Sequence, residues 1–165
     1  MKKILLIISI IMTTLSCSNA QQKQFSAEAL NGKLTTYDGK EVSLKDVLEK
    51  HKGKTVLIEV WASWCSDCVK AMPKVKEIQK ENPNVVYVFI SMDKSFEKWQ
   101  EGIKKHEVKG ENYWVNDENG MKGSFGKSID LDWIPRYIVV RGSMEVVLYR
   151  AIEKDFEKII KELKQ

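Results

Sequence analysis

Two stretches of the 165-residue chain are apolar almost without interruption, Thr55-Val-Leu-Ile-Glu-Val-Trp61 and Val85-Val-Tyr-Val-Phe-Ile90. Neither alternates, and both are rich in β-branched residues. That is the pattern of strands buried on both faces, so they are read as central parallel strands of a sheet. Between them Val69, Met72, Val75 and Ile78 recur at helical spacing. The spacing predicts a helix from Ser66 to about Glu81 and hence one βαβ unit. Phe96, Trp99 and Ile103 share the face of a second helix, from Ser95 to about Lys105, with Asp93 or Ser95 as its cap. Upstream, Leu34–Tyr37 and Glu41–Leu44 flank Asp38-Gly39, a strong hairpin signal, and a short helix from about Lys45 to His51 follows. Residues 107–131 read as loop-rich, with a short strand at Tyr113–Val115, a turn at Asn119-Gly120 and a small helix around Phe125. Arg136–Val140 and Glu145–Tyr149 pair across Gly142-Ser143, and a last helix from about Glu153 to Lys164 turns Phe156, Ile159, Ile160 and Leu163 inward. The pattern predicts one α/β domain, a mixed sheet with helices on both faces.

The amino-terminal pattern is different. Lys2-Lys3 precede an apolar run from Ile4 to Met12, and Thr13-Thr14-Leu15-Ser16 lead to Cys17. A charged tip, an apolar run too short for a stable membrane span and a small-residue end describe a secretory signal peptide. Leu15-Ser16-Cys17 resembles a bacterial lipobox with Thr14 in place of the usual aliphatic residue. Cutting there would leave Cys17 as a lipidated amino terminus and would account for the odd third cysteine. An ordinary cut after Ser18-Asn19-Ala20 is the alternative. The chain is thus divided into a lipoprotein signal peptide (1–16), a polar tether (17–29) and a folded domain (30–165) held near a membrane surface.

Charge refines this picture only by exclusion. Removing Lys2 and Lys3 from the 27 basic side chains leaves 25 against 23 acidic, a net +2. The lysines are interleaved with glutamates, which marks a solvated surface rather than a nucleic-acid stripe. Three cysteines are too few for a disulfide-stapled scaffold or a four-cysteine zinc site.

Chemistry concentrates at Trp61-Ala-Ser-Trp-Cys65-Ser-Asp-Cys68. Two thiols at i and i+3, where a buried strand gives way to a helix, lie on one helical turn and can form a disulfide or share an electrophile. The helix amino terminus stabilises a thiolate on Cys65, so Cys65 is expected to attack and the more shielded Cys68 to resolve. A fixed structural disulfide would gain little from so short a loop. A metal pair finds no support in His51 or His106, which sit in lysine-rich stretches and read as solvent-facing. Val69 excludes the usual haem-attachment motif. Glu59, in the middle of an apolar strand, is costly unless used or paired. It is either a buried acid with a raised pKa that exchanges protons with Cys68 or a rim carboxylate paired with a surface lysine.

The run from Val56 to Cys68, Met72-Pro73 in the next helix and Trp133-Ile134-Pro135 before a strand together resemble the extracytoplasmic thioredoxin-like reductases of the TlpA/ResA type. The resemblance covers about residues 30–164. It implies a thioredoxin fold with an amino-terminal hairpin and an insert over about residues 92–131, before the late proline. It also implies a cis Ile134-Pro135 bond facing the cysteines, with the Ile134 backbone free to pair with an extended substrate. Two positions depart from the pattern: Asp67 stands where a proline is common and Ala71 where a glutamate is common. Glu59 instead matches the buried acid of thioredoxin itself. Trp64 is expected to flank the site, Trp61 to lie in the core and Pro73 to kink its helix.

The expected activity is reduction of disulfides in other extracytoplasmic proteins by a Cys65/Cys68 dithiol, with no bound cofactor or metal and with a membrane electron donor for re-reduction. A net oxidase differs only in redox potential. A metallochaperone or a thioredoxin-fold binding module with vestigial thiols are the alternatives from other classes.

Overall fold

In a computed structural model, residues 24–165 are described; the leader, Cys17 and the first part of the tether lie outside them. The described chain forms a seven-stranded sheet. Its elements in order are α1 (Ala27–Leu30), β1 (Lys33–Thr36), β2 (Glu41–Ser43), α2 (Leu44–Lys50), β3 (Val56–Trp61), α3 (Ser66–Glu81), β4 (Val86–Ser91), α4 (Phe96–His106), β5 (Glu111–Trp114), α5 (Ser124–Ser128), β6 (Arg136–Arg141), β7 (Glu145–Ala151) and α6 (Phe156–Leu163). The strands lie in the order β2-β1-β5-β4-β3-β6-β7. β3, β4 and β5 run parallel, while the β1/β2 and β6/β7 hairpins close the two edges antiparallel. This is the mixed sheet of a thioredoxin fold.

All six side chains of β3 are buried, as a strand covered on both faces requires. β3 is parallel to β4 on one side only; its other neighbour, β6, is antiparallel. α3 follows its apolar stripe, burying Cys68, Ala71, Met72, Val75 and Ile78 and tolerating Pro73 within it. α4 is capped by Ser95 rather than Asp93: the Ser95 side chain accepts from Lys98 N. Ser43 and Asp46 form a reciprocal capping box, which assigns Leu44 to α2 instead of the preceding strand.

Three expectations are corrected. Residues 25–29, placed in the tether, are part of the fold: Phe25 and Ala29 are buried, and Ser26 caps α1. The tether reading followed the polar run before Phe25, but one aromatic anchor and a capped turn suffice to dock the segment. The segment expected to be mostly loop contributes β5, which begins two residues earlier than expected and lies between β4 and β1. The insert thereby joins the amino-terminal hairpin to the central strands. Finally, α6 starts at Phe156, after a single 3-10 turn over Glu153–Asp155. Among the described residues, no helix is long and apolar enough to cross a membrane.

Candidate active site

β3 ends at Trp61, and the chain reverses in a tight turn in which Cys65 N donates to Ala62 O at 3.1 Å. Cys65 then caps α3 in an extended conformation, its Sγ accepting from Cys68 N at 3.2 Å. Cys65 and Cys68 form a disulfide with Cα atoms 5.3 Å apart. Cys65 keeps 7% of its surface exposed and Cys68 none, so an incoming sulfur meets Cys65 first. The N–H groups of the helix start lie where negative charge on Cys65 would be stabilised.

Facing this turn is the cis Ile134-Pro135 bond, with Ile134 O 3.5 Å from Cys65 Sγ. Both residues are buried, which leaves the backbone of Ile134 as the group presented to the cysteines. Trp64 (57% exposed) and Trp133 (49% exposed) stand at the rim. With Ser66, Asp67, Met121 and Asp132 they line one shallow depression over Cys65. The two indoles leave adjoining apolar surface half in water beside Cys65. Asp67 is half-buried and pairs with Lys70 at 3.7 Å, while Asp132 pairs with Arg136 and Arg150. Met121 and Asp132 are not expected at the site from the sequence, and Trp133 enters there only as part of the motif before Pro135. Only Trp133 carried a signal, its position beside Ile134-Pro135; Met121 arrives from a turn in the insert.

Glu59 sits in β3, two residues before the strand ends at Trp61, and is 1% exposed. At that burial it is not at a rim, and among the described residues no lysine pairs with it, which removes the rim-carboxylate alternative. Its cross-strand partner Tyr137 donates from Oη to Oε1 at 3.4 Å, and Oε2 is buried with no partner. Burial pushes the carboxyl up to about 8, against a weaker downward pull from the Tyr137 hydrogen bond. Trp61 is fully buried, as expected of a core residue.

The histidines are not solvent-facing. His51 is buried with Nε2 3.0 Å from Glu111 Oε1, and His106 turns its ring edge-on to Trp61 with a buried Nε2. Their lysine-rich neighbours in sequence point outward while the imidazoles point in. Burial holds the His106 imidazole below its usual range, with Lys105 adding to the effect. Among the described residues, no three His, Cys, Asp or Glu side chains converge on a metal-sized site.

Comparison with known proteins agrees with this geometry. A 76-residue segment is 32% identical to the thiol-disulfide oxidoreductase ResA of Bacillus thuringiensis, covering 46% of this chain and 42% of that protein. The chain thus matches about two fifths of the length of this curated relative. The thioredoxin domain of a thiol-disulfide oxidoreductase from Bacteroides vulgatus superposes with a TM-score of 0.65 at 21% identity, over 81% of this chain and 92% of that one. A secreted disulfide oxidoreductase of Mycobacterium tuberculosis, homologous to Escherichia coli DsbE, superposes at 0.60 with 16% identity, over 83% and 99%. At these identities the two structures establish the shared fold. The thioredoxin-like family model matches residues 53–146, more than half of the chain and a span that holds Glu59, both cysteines and the Ile134-Pro135 turn, so the chain belongs to the thioredoxin-like family.

Proposed function

We propose that the protein is an extracytoplasmic thiol-disulfide oxidoreductase that reduces disulfides in other proteins. The observation that carries this reading is the placement of Cys65 at a helix start, at the base of a tryptophan-rimmed depression and 3.5 Å from the Ile134 carbonyl. In the reduced protein the Cys65 thiolate attacks a substrate disulfide, forming a mixed disulfide and releasing one substrate thiolate. Cys68 gives its proton to Glu59 and attacks Cys65 Sγ, which expels the second substrate sulfur as a thiolate and closes the Cys65–Cys68 disulfide; the proton held by Glu59 is then free to pass to it. Two electrons pass to the substrate in each cycle, and a membrane electron donor restores the dithiol. Trp64, Ile134 and Pro135 bind the substrate segment beside its half-cystine. The signal-peptide pattern of residues 1–16 supports export, and the Mycobacterium tuberculosis neighbour is itself secreted. Lipidation of Cys17 would hold the domain at the membrane where its electron donor resides.

Insulin reduction by the isolated protein, together with a measured redox potential, tests the reaction and its direction. Cys65→Ser is expected to abolish turnover, and Cys68→Ser to accumulate mixed disulfides. Equal or better trapping with Cys68 as the sole thiol would reverse the two roles. Mass spectrometry of the mature amino terminus tests the anchor: a diacylated Cys17 supports it, and an unmodified start at Gln21 refutes it.

A further inference from the structure

β3 and β4 end side by side, with Trp61 opposite Ser91. Two residues past β4, Asp93 turns back across this edge. Its carboxylate accepts Ser63 N at 3.0 and 3.2 Å, Ser63 Oγ at 2.6 Å and Ser91 Oγ at 2.7 Å. Asp93 itself is held in place at three points: its N–H donates to Ser91 Oγ at 2.9 Å, its carbonyl accepts Trp114 Nε1 at 2.7 Å, and its side chain is buried. A buried carboxylate with every donor drawn from neighbouring backbone and hydroxyls is a rigid joint, because loss of any donor leaves charge unsolvated. Ser63 is clamped from the other side by α4. Gly102 lies so close that any Cβ there would overlap Ser63 Cβ. Ser63 is the second residue of the turn that Cys65 N closes onto Ala62 O.

We propose that Asp93 is a positioning residue for the redox chemistry: through Ser63 it fixes the turn that aims Cys65 Sγ at both the Cys68 N–H and an incoming disulfide. The proposal rests on the disulfide-exchange reading of the site. It assigns to Asp93, 28 residues beyond Cys65 in sequence, control of how well the α3 amino terminus stabilises the Cys65 thiolate. Without the Asp93–Ser63 joint the turn loosens, the thiolate loses its aligned donor, and a small misalignment of reacting atoms is costly.

The test uses the reduced full chain and follows iodoacetamide alkylation of Cys65 against pH, alongside insulin reduction. Asp93→Asn is expected to move the alkylation midpoint to higher pH and to slow the first attack about tenfold at neutral pH. Ser63→Ala, which keeps the Asp93 charge and the backbone bond, is expected to shift the midpoint in the same direction with a loss of about threefold. If Asp93 acted only through its charge, removing it would lower the midpoint, and that result overturns the proposal. So does an unchanged midpoint with reduced thermal stability, the mark of a purely structural residue. If Asp93→Asn does not fold, Ser63→Ala decides: a raised midpoint supports the proposal, and an unchanged or lowered midpoint overturns it. A wild-type protein that reduces no disulfide refutes the functional reading, while the alkylation profiles still decide the positioning role.

Discussion

Glu59 and Glu111 are carboxylates on strands of one sheet, separated only by β4, and their surroundings drive them in opposite directions. Glu59 sits in β3 with Tyr137 as its hydrogen-bond donor, and burial pushes it up to about 8. Partial burial would also raise Glu111, but Lys50 at 2.7 Å, Tyr113 at 2.7 Å and His51 outweigh it and hold the group at about 2. The second arrangement ties α2 to β5 across the sheet and makes sense as stability alone. The first buries a costly acid with one long hydrogen bond from Tyr137 and no cation, in the strand that leads to the cysteine turn. What separates the raised acid from the stapling acid here is the absence or presence of a cation, and the catalytic role proposed for Glu59 can be tested against the structural role of Glu111.

The widest gap between them is kinetic. Glu59→Gln is expected to leave the fold and the attack by Cys65 intact while slowing resolution of the mixed disulfide roughly ten- to a thousandfold, the range of a general acid–base step. Because that step consumes the Cys68 thiolate, the defect shrinks as pH rises. Stopped-flow measurement of mixed-disulfide decay checks this. Parent-rate resolution across neutral pH, or a defect confined to the first attack, would dissolve the distinction between the two acids.

The pH dependence of stability separates them next. Glu59 binds its proton more tightly folded than unfolded, so its contribution is fully present below pH 4.5 and is lost as pH rises toward about 8. Ionising it in place costs on the order of 5 kcal/mol, and Glu59→Gln is expected to remove that alkaline decline in urea unfolding. Glu111 has the opposite sign. Its contribution is present above pH 4.5 and is lost as pH falls toward about 2. Glu111→Gln is expected to destabilise the protein at neutral pH by about 1–2 kcal/mol, with screening at its partly exposed site keeping the figure small, and to leave insulin reduction unchanged. Slowed reduction in that variant would mean that the hairpin edge communicates with the cysteines.

These contrasts also show what the residue order makes legible. The βαβ unit and the cysteine pair on a helix start are written locally, in runs and spacings of a few residues, and the structure reproduces them. β5 is not local: Glu111 and Asn112 carry no strand pattern and are extended because they pair with Val88 and Phe89 of β4. The same holds for residues 25–30, where Phe25 and Ala29 are isolated apolar positions after a polar run and only their burial in the core places them. The fate of Glu59 depended on a residue 78 positions away, since a lysine facing it would have made it a surface pair and Tyr137 makes it a buried acid. Asp93 was visible only as a candidate helix cap. Its engagement with Ser63, 30 residues earlier, comes from the parallel register of β3 and β4 and has no signature in either segment alone.

The smallest effect sharpens the comparison most, because it tests the environment of Glu59 without touching the acid. Tyr137 is buried against Phe156, and burial, with the neighbouring Glu59 adding to it, holds its phenol far above the usual tyrosine range. It therefore remains a donor at every working pH, and only Glu59 titrates. A donor favours the charged carboxylate, so Tyr137→Phe is expected to raise the Glu59 pKa beyond about 8. At 3.4 Å the bond is long, and its loss is expected to move the pH dependence of resolution upward by about half a unit, slowing the step roughly threefold at neutral pH. The shift must vanish in a Glu59→Gln background, since no titrating acid is left for Tyr137 to tune. If Tyr137→Phe slows resolution equally with Gln at position 59, the tyrosine acts through packing against Phe156, and Glu59 owes its raised pKa to burial alone.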